Sequence, residues 1–173
     1  MGRYRPPQPA SSKYITAEGH ARLTSEHEYL WKKKRPEVTR ILAAAAAEGD
    51  RSENAEYIYR KKELREIDAR IRFLSKRLDD MVVVDRIPND TDKVFFGAWV
   101  TIEDEQGEEH TYRIVGPDEF DPKLGYISMD SPMGKALLGK MLDDEFELRI
   151  DTAEGSNRQT YIINEIRYEP VGD

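Results

Sequence analysis

Leu64, Ile67, Ile71, Leu74, Leu78 and Met81 constrain this chain more than any other feature, because spacings of 3, 4, 3, 4 and 3 lay one narrow apolar seam along a long helix. Such a seam needs a second helix to cover it. Leu23, Leu30, Val38, Ile41 and Ala45 form a matching stripe upstream, so the two arms are predicted to pair as an antiparallel coiled-coil hairpin. Between them lies Gly49-Asp50-Arg51-Ser52-Glu53-Asn54-Ala55-Glu56-Tyr57, a turn with clustered carboxylates. Gly49 follows the helix-forming run Ala43 to Glu48 and suits the left-handed conformation that closes a helix. Ser52 reads as the N-cap of the second arm, with Glu53 and Glu56 in its first turn, where negative charge complements the helix dipole. Helix design alone explains those two acids. Asp50 is different, because neither helix needs a carboxylate in the turn.

The arms carry further signals. Pro36 falls inside the first arm, where it removes a hydrogen bond, so Lys32 to Glu37 is predicted to bend. Ala43 to Ala47 is a strong helix former and also makes the end of the hairpin slim, which suits insertion into a narrow passage. The second arm, Ser52 to Met81, is expected to run roughly 45 Å at 1.5 Å per residue.

The net charge of −7 conceals an asymmetry. Residues 1–13 hold three Lys/Arg and no acid, residues 14–88 hold 16 against 14, and residues 89–173 hold 8 against 20. Basic charge therefore sits on the hairpin, in Lys32-Lys33-Lys34-Arg35 and in Arg60-Lys61-Lys62 with Arg65, Arg70 and Arg72. With the turn at Asp50 and Arg51, Lys34 is expected roughly opposite Asp68. Most of these charges read as a solvated surface with pairs such as Glu66 to Arg70 and Asp68 to Arg72. Arg60-Lys61-Lys62 stands apart: three adjacent cations point to different sides of a helix, so at least one is expected to be available to phosphate.

Beyond Asn89 the pattern changes to short strands. Val94 to Glu103, His110 to Val115, Tyr126 to Met129, Glu145 to Ile150 and Thr160 to Tyr168 are rich in β-branched and aromatic residues and are separated by turn signals. Ser131-Pro132 reads as an N-cap with proline at the first helical position, and Gly139 closes that short helix. The class is α+β, with a small C-terminal domain built on a mostly antiparallel sheet. The domains are expected at 1–13 (a disordered tail), 14–88 (the hairpin, tip near 49–57) and 89–173.

Several function classes drop out. The absence of cysteine excludes disulfides and thiolate zinc sites. His20, His27 and His110 are scattered and read as surface or packing residues. There is no phosphate-cradling glycine loop, nucleophile elbow or paired-histidine metal motif. The first residues lack the apolar core of a signal peptide and no later stretch approaches a membrane span, so the expected compartment is the cytoplasm, with no membrane partner.

Tyr29-Leu30-Trp31, Arg35 to Thr39, Gly49 to Tyr57, Val94 to Val100, Tyr112 to Gly116 and Asp130 to Lys140 together resemble the bacterial Gre transcript-cleavage factors, over nearly the whole chain beyond the first dozen residues. Leu30-Trp31, Arg51-Ser52 and Phe95 to Trp99 resemble the GreB branch more than the GreA branch. The missing cysteines argue against the DksA type, a channel factor of similar shape that usually carries a cysteine zinc cluster. The resemblance implies an FKBP-like fold for the C-terminal domain, although nothing in it assembles an isomerase site.

The resemblance also implies a role. The protein is expected to be no enzyme itself but a monomeric cofactor acting in trans: its hairpin enters the secondary channel of bacterial RNA polymerase and stimulates cleavage of backtracked RNA near the nascent 3′ end. By match to the family motif, Asp50 and Glu53 are the donated acids, directed at a Mg²⁺ shared with the polymerase and not bound by the chain alone. Two exposed carboxylates are too few to hold that ion by themselves. Ser52, Asn54, Glu56 and Tyr57 shape the tip, Arg60, Lys61 and Lys62 contact RNA or the channel wall, and Asp130-Ser131-Pro132 helps dock the C-terminal domain. Two rival readings stand beside this one: a paralogue that occupies the channel and inhibits without promoting cleavage, and a coiled-coil adaptor unrelated to the polymerase.

Overall fold

A computed structural model describes residues 10–170 apart from Asp50, Ser52 and Glu154, with the side chains of Ile150 and Thr152 also outside the description. The chain divides into two compact units, Glu18–Met81 and a second unit of Met1–Ala17 with Val82–Asp173. The hairpin is therefore shorter at both ends than the 14–88 expected.

The first arm of the hairpin comprises α1 (Ala17–Tyr29), a π-helical turn (Leu30–Lys34) and α2 (Arg35–Ala47); the second arm is α3 (Ala55–Asp80). Val38, Ile67 and Ile71 are buried against one another with Leu30 and Leu64 packed beside them, so the narrow seam does meet its partner stripe. The register is antiparallel: Glu26 meets Arg70, His27 meets Ser75, Lys34 meets Glu63 and Arg35 meets Asp68. Asp68 thus lies opposite Arg35, with Lys34 reaching back to Glu63. Arg70 and Asp68 both bond across the hairpin.

Pro36 does not break the first arm. The arm widens into the π turn before it, and the N–H of Arg35 reaches back five residues to the Leu30 carbonyl. A proline ring collides with the carbonyl four residues earlier, and inserting one extra residue per turn relieves that collision while the helix continues.

The second unit holds a five-stranded sheet in the order β5-β4-β3-β7-β6, formed by β3 (Trp99–Asp104), β4 (Glu109–Val115), β5 (Tyr126–Ser128), β6 (Glu145–Thr152) and β7 (Gly155–Arg167). Three of its pairings are antiparallel and β4–β5 is parallel, which makes it the mostly antiparallel sheet of an α+β domain. Val100, Ile102, Ile114, Phe146, Tyr161 and Ile163 supply one face, and Leu137 of the short helix α4 (Pro132–Leu137) packs into that core. Ser131 caps α4 by accepting from the Gly134 N–H at 3.0 Å, as its sequence predicted.

Two short strands were not foreseen: β1 (Tyr14–Thr16) and β2 (Val82–Val84) pair in parallel. A further set of contacts ties β1 down. Glu119, only 2% exposed, accepts hydrogen bonds from the Thr16 N–H (3.0 Å), the Thr16 hydroxyl and the Gly116 N–H (2.9 Å). Gly116 lies so close beneath β1 that a Cβ there would strike the Tyr14 carbonyl. Before the strand, Ser12 donates through its N–H (2.8 Å) and hydroxyl to Asp130. A buried carboxylate is tolerable only when its oxygens are hydrogen-bonded, and here two of the three bonds come from Thr16, about a hundred residues away in sequence.

Glu119→Ala is expected to lower stability by about 2–4 kcal/mol, since hydrogen bonds to a charged acceptor are worth roughly 1.5–3 kcal/mol each and the loss is partly relieved by water. Amide hydrogen exchange at Thr16 and Gly116 should accelerate with it; unchanged protection at Thr16 would show that strand pairing with β2 holds β1 unaided.

Candidate functional site at the hairpin turn

The turn is built from the two helix ends it joins. α2 closes with the N–H of Glu48 bonded to Ala45 O at 3.3 Å, followed by Gly49 at φ 137°, a conformation that glycine adopts at little cost and side-chain-bearing residues rarely adopt. α3 opens at Ala55, and its N-cap is Asn54, not Ser52, which lies outside the described residues together with Asp50. Asn54 Oδ1 accepts from the Tyr57 N–H at 3.1 Å, and its Nδ2 donates to Ala45 O at 2.9 Å. One side chain therefore satisfies an orphan donor of α3 and a carbonyl in the last turn of α2. The amide carries its acceptor and its donor on separate atoms at the end of a longer side chain, which lets one residue span both helix ends.

That shift moves Glu53 out of the helix. It is exposed in the turn before the cap, whereas Glu56 alone remains in the first turn of α3. Glu56 is further committed to Arg60, which donates Nε to it at 2.8 Å and Nη1 to Glu63 at 2.7 Å. Lys34 from the other arm joins the same cluster, 3.2 Å from Glu63. Hydrogen bonding from Arg60, then from Lys34, holds the Glu63 carboxyl below its usual range.

Aromatic rings and cations alternate along the same stretch. Tyr57 has Arg51 Cζ at 5.9 Å and Lys61 Nζ at 5.6 Å from its ring centroid, so two cations neighbour its ring. Lys62 lies 3.8 Å from Glu66 with its side chain 77% exposed, so that exposed pair constrains it little. Of the three adjacent cations, Arg60 is thus engaged by two carboxylates, while Lys61 and Lys62 face outward. Sequence reasoning treated the three alike, because the engagement of Arg60 depends on Glu56 and Glu63 standing at helical spacing on either side of it.

Elsewhere, Asp130, Ser131 and Pro132 form the approach and first turn of α4, but the Asp130 carboxylate is occupied by Ser12 and the Ser131 hydroxyl by Ser128 O (2.6 Å) and the Gly134 N–H. Their described contacts are internal to the sheet unit. His27 bonds Ser75 at 2.8 Å, a packing role. His110 lies 3.3 Å from Asp104, whose carboxyl is held low first by the Glu108 N–H and also by His110.

Residues 13–83 match the family model described as transcription elongation factor, N-terminal, and residues 88–168 match transcription elongation factor, GreA/GreB, C-term. This chain belongs to the GreA/GreB transcription elongation factor family. Its similarity runs to the GreB branch: it is 54% identical to transcription elongation factor GreB of Pseudomonas aeruginosa over 171 residues, 99% of each chain. It is 55% identical to GreB of Xanthomonas axonopodis pv. citri over 97% of this chain and 98% of that one, and 55% identical to GreB of Yersinia pestis over 95% and 94%. Among solved structures, GreA factor homolog 1 (Gfh1) of Thermus thermophilus aligns at 29% identity over 89% of this chain and 97% of that one, with a TM-score of 0.39, too low to bear on fold or function. No helix among the described residues is long and apolar enough to cross a membrane.

Asn54→Ala leaves both the Tyr57 N–H and the Ala45 carbonyl without their side-chain partner, and should destabilise the hairpin by about 1–2 kcal/mol. Asn54→Ser restores the cap alone and is expected to recover about half. Chemical denaturation followed by circular dichroism measures both; full recovery by serine would mean that the Ala45 contact contributes nothing.

Proposed function

We propose that the hairpin enters the secondary channel of bacterial RNA polymerase and stimulates the polymerase's own cleavage of backtracked RNA, with Asp50 and Glu53 as the donated carboxylates. The observation that carries this reading is the placement of Glu53. With Asn54 as cap and Glu56 in the first turn, α3 has its N-terminal acceptors without Glu53, whose carboxylate stands exposed in the turn before the cap. An acid exposed there is available to another active site.

The donor chemistry fits Mg²⁺, a hard cation that takes carboxylate oxygens and completes its sphere with water and phosphate. Asp50 and Glu53 are the ligands this chain would offer once the polymerase supplies the rest of the site. When bound there, Mg²⁺ polarises phosphoryl oxygen and makes water a better nucleophile. The remaining contribution of the chain is positional: Asn54 fixes where α3 begins, Tyr57 stands beneath Arg51 and Lys61, and Lys61 and Lys62 present positive charge to the RNA backbone. Asp130-Ser131-Pro132 would assist docking through the shape of the α4 approach, since the Asp130 carboxylate is already bonded to Ser12. In this role the protein is a monomeric cytoplasmic cofactor of the polymerase and carries out no reaction alone. The GreB relatives, at 51–55% identity, weigh for cleavage stimulation over an inhibitory channel blocker, and family membership weighs against an adaptor unconnected with transcription.

The test is cleavage of the transcript in a stalled, backtracked complex at fixed Mg²⁺, with and without the protein. Asp50→Ala combined with Glu53→Ala should keep polymerase binding within about twofold while stimulated cleavage falls roughly 100-fold, the equivalent of about 2.7 kcal/mol of lost charge stabilisation. Retained cleavage would remove both residues from the mechanism.

A second expectation concerns the outward cations. Lys61→Ala with Lys62→Ala should reduce action on long extruded RNA more than on short, and should flatten the log–log salt dependence by about 0.7 per lost phosphate contact. Equal loss at both RNA lengths would assign the two lysines to general docking.

A further inference from the structure

Among the described residues, Tyr59 is the tip-proximal aromatic that the seam does not use. Heptad steps back from Leu64 put Arg60 and Tyr57 on the seam side of α3 and leave Tyr59 on the outer side, where it is 59% exposed. A single exposed tyrosine means little by itself. This one is braced: Arg60 Cζ lies 5.2 Å from its ring centroid, and Arg60 is in turn fixed by Glu56 and Glu63. A guanidinium that already serves two carboxylates is poorly placed to neutralise a phosphate. Its remaining contact is the tyrosine ring, which it covers on one side.

The same construction recurs along the hairpin. Arg35, bonded to Asp68, lies 5.8 Å from the exposed Trp31, and Arg70, bonded through two nitrogens to Glu26, lies 5.5 Å from the exposed Phe73. Phe73 stands two heptads beyond Tyr59 on the same stripe, roughly 21 Å along the axis. Tyr59 itself is about 6 Å from the start of α3 and lies two and three positions before Lys61 and Lys62, the cations left facing outward.

We propose that Tyr59 is a stacking platform for a base of single-stranded RNA held beside the hairpin tip, with Arg60 as its positioning residue and Lys61 and Lys62 meeting the flanking phosphates. The inference rests on the reading that this chain acts on backtracked RNA. It changes the part assigned to Arg60, from an RNA contact to the brace of one. The chemistry suits the task, because an aromatic face accepts every base and a factor that acts on arrested complexes must accept any transcript. Lysines beside the ring supply the charge complementarity that single-stranded RNA requires, whereas an apolar protein wall would need none.

The experiment uses backtracked complexes of bacterial RNA polymerase whose extruded RNA is either intact or abasic at one extruded position at a time. With the wild-type protein, an abasic site at the contacted position should slow stimulated cleavage about tenfold, the scale of one base–aromatic contact. Tyr59→Ala should slow cleavage of intact RNA by a similar factor and show no further loss on the abasic transcript, while Tyr59→Phe and Tyr59→Trp keep both the rate and the base dependence. Alanine is a stronger helix former than tyrosine, so the variant keeps α3. Wild-type rates for Tyr59→Ala overturn the proposal, as does a loss that multiplies with the abasic effect, which would place the ring against the polymerase wall. Failure of the wild-type protein to accelerate cleavage at all would overturn the underlying reading, and that outcome shows in the wild-type arm alone.

Discussion

Two helices joined by a short turn can slide past each other unless something buried fixes their register, and here Val38 against Ile67 and Ile71 does so. Burying side chains of that size is worth roughly 1.5–3 kcal/mol each, whereas exposed ion pairs are worth about 0–1 kcal/mol. The bridges from Arg35 to Asp68, Lys34 to Glu63 and Glu26 to Arg70 therefore refine a register that the seam has already chosen. Everything at the tip inherits that register. Ala45 and Asn54 come within hydrogen-bonding distance only because the arms are aligned below them, and their bond sets the first residue of α3 and thereby puts Glu53 outside it.

In the sheet unit a buried acid does work that is comparable in kind. Glu119 draws Thr16 and Gly116 together, and Asp130 receives Ser12, so the segment leading into the hairpin is bound to the unit that also receives the chain leaving it, through β1 and β2. The energetic weight differs between the two acids. Glu119 is wholly enclosed and would be costly to leave unpaired, while Asp130 is half-buried and its loss can be met by water.

Much of this was legible in the sequence. The 3-and-4 spacing of apolar residues gave both arms, the alternation beyond Asn89 gave most of the sheet, and Ser131-Pro132 gave α4, because each signal is local and repeats with the period of the element it forms. The errors share a cause as well. Ser52 and Asn54 are near-equal caps by propensity, and the sequence does not show that Asn54 also reaches the Ala45 carbonyl. At Pro36 the sequence marked an irregularity but not its form, a π turn through which the arm continues. Three-residue strands paired across nearly seventy residues leave no periodic trace at all.

The sequence by itself determined that this protein has a paired helical arm, an acidic turn at its end, a basic flank and a small α+β domain, since those follow from pattern and charge along the chain. Only the tertiary structure decided which chemically similar side chain takes which part. Asn54 became the cap, Arg60 became engaged by two carboxylates while Lys61 and Lys62 stayed exposed, Glu119 became buried and Tyr59 remained outside. Each of those outcomes depends on a partner brought near by the register of the arms or by helical spacing, and hydrogen bonds and burial depend on distances of a few ångströms that composition and order do not encode locally.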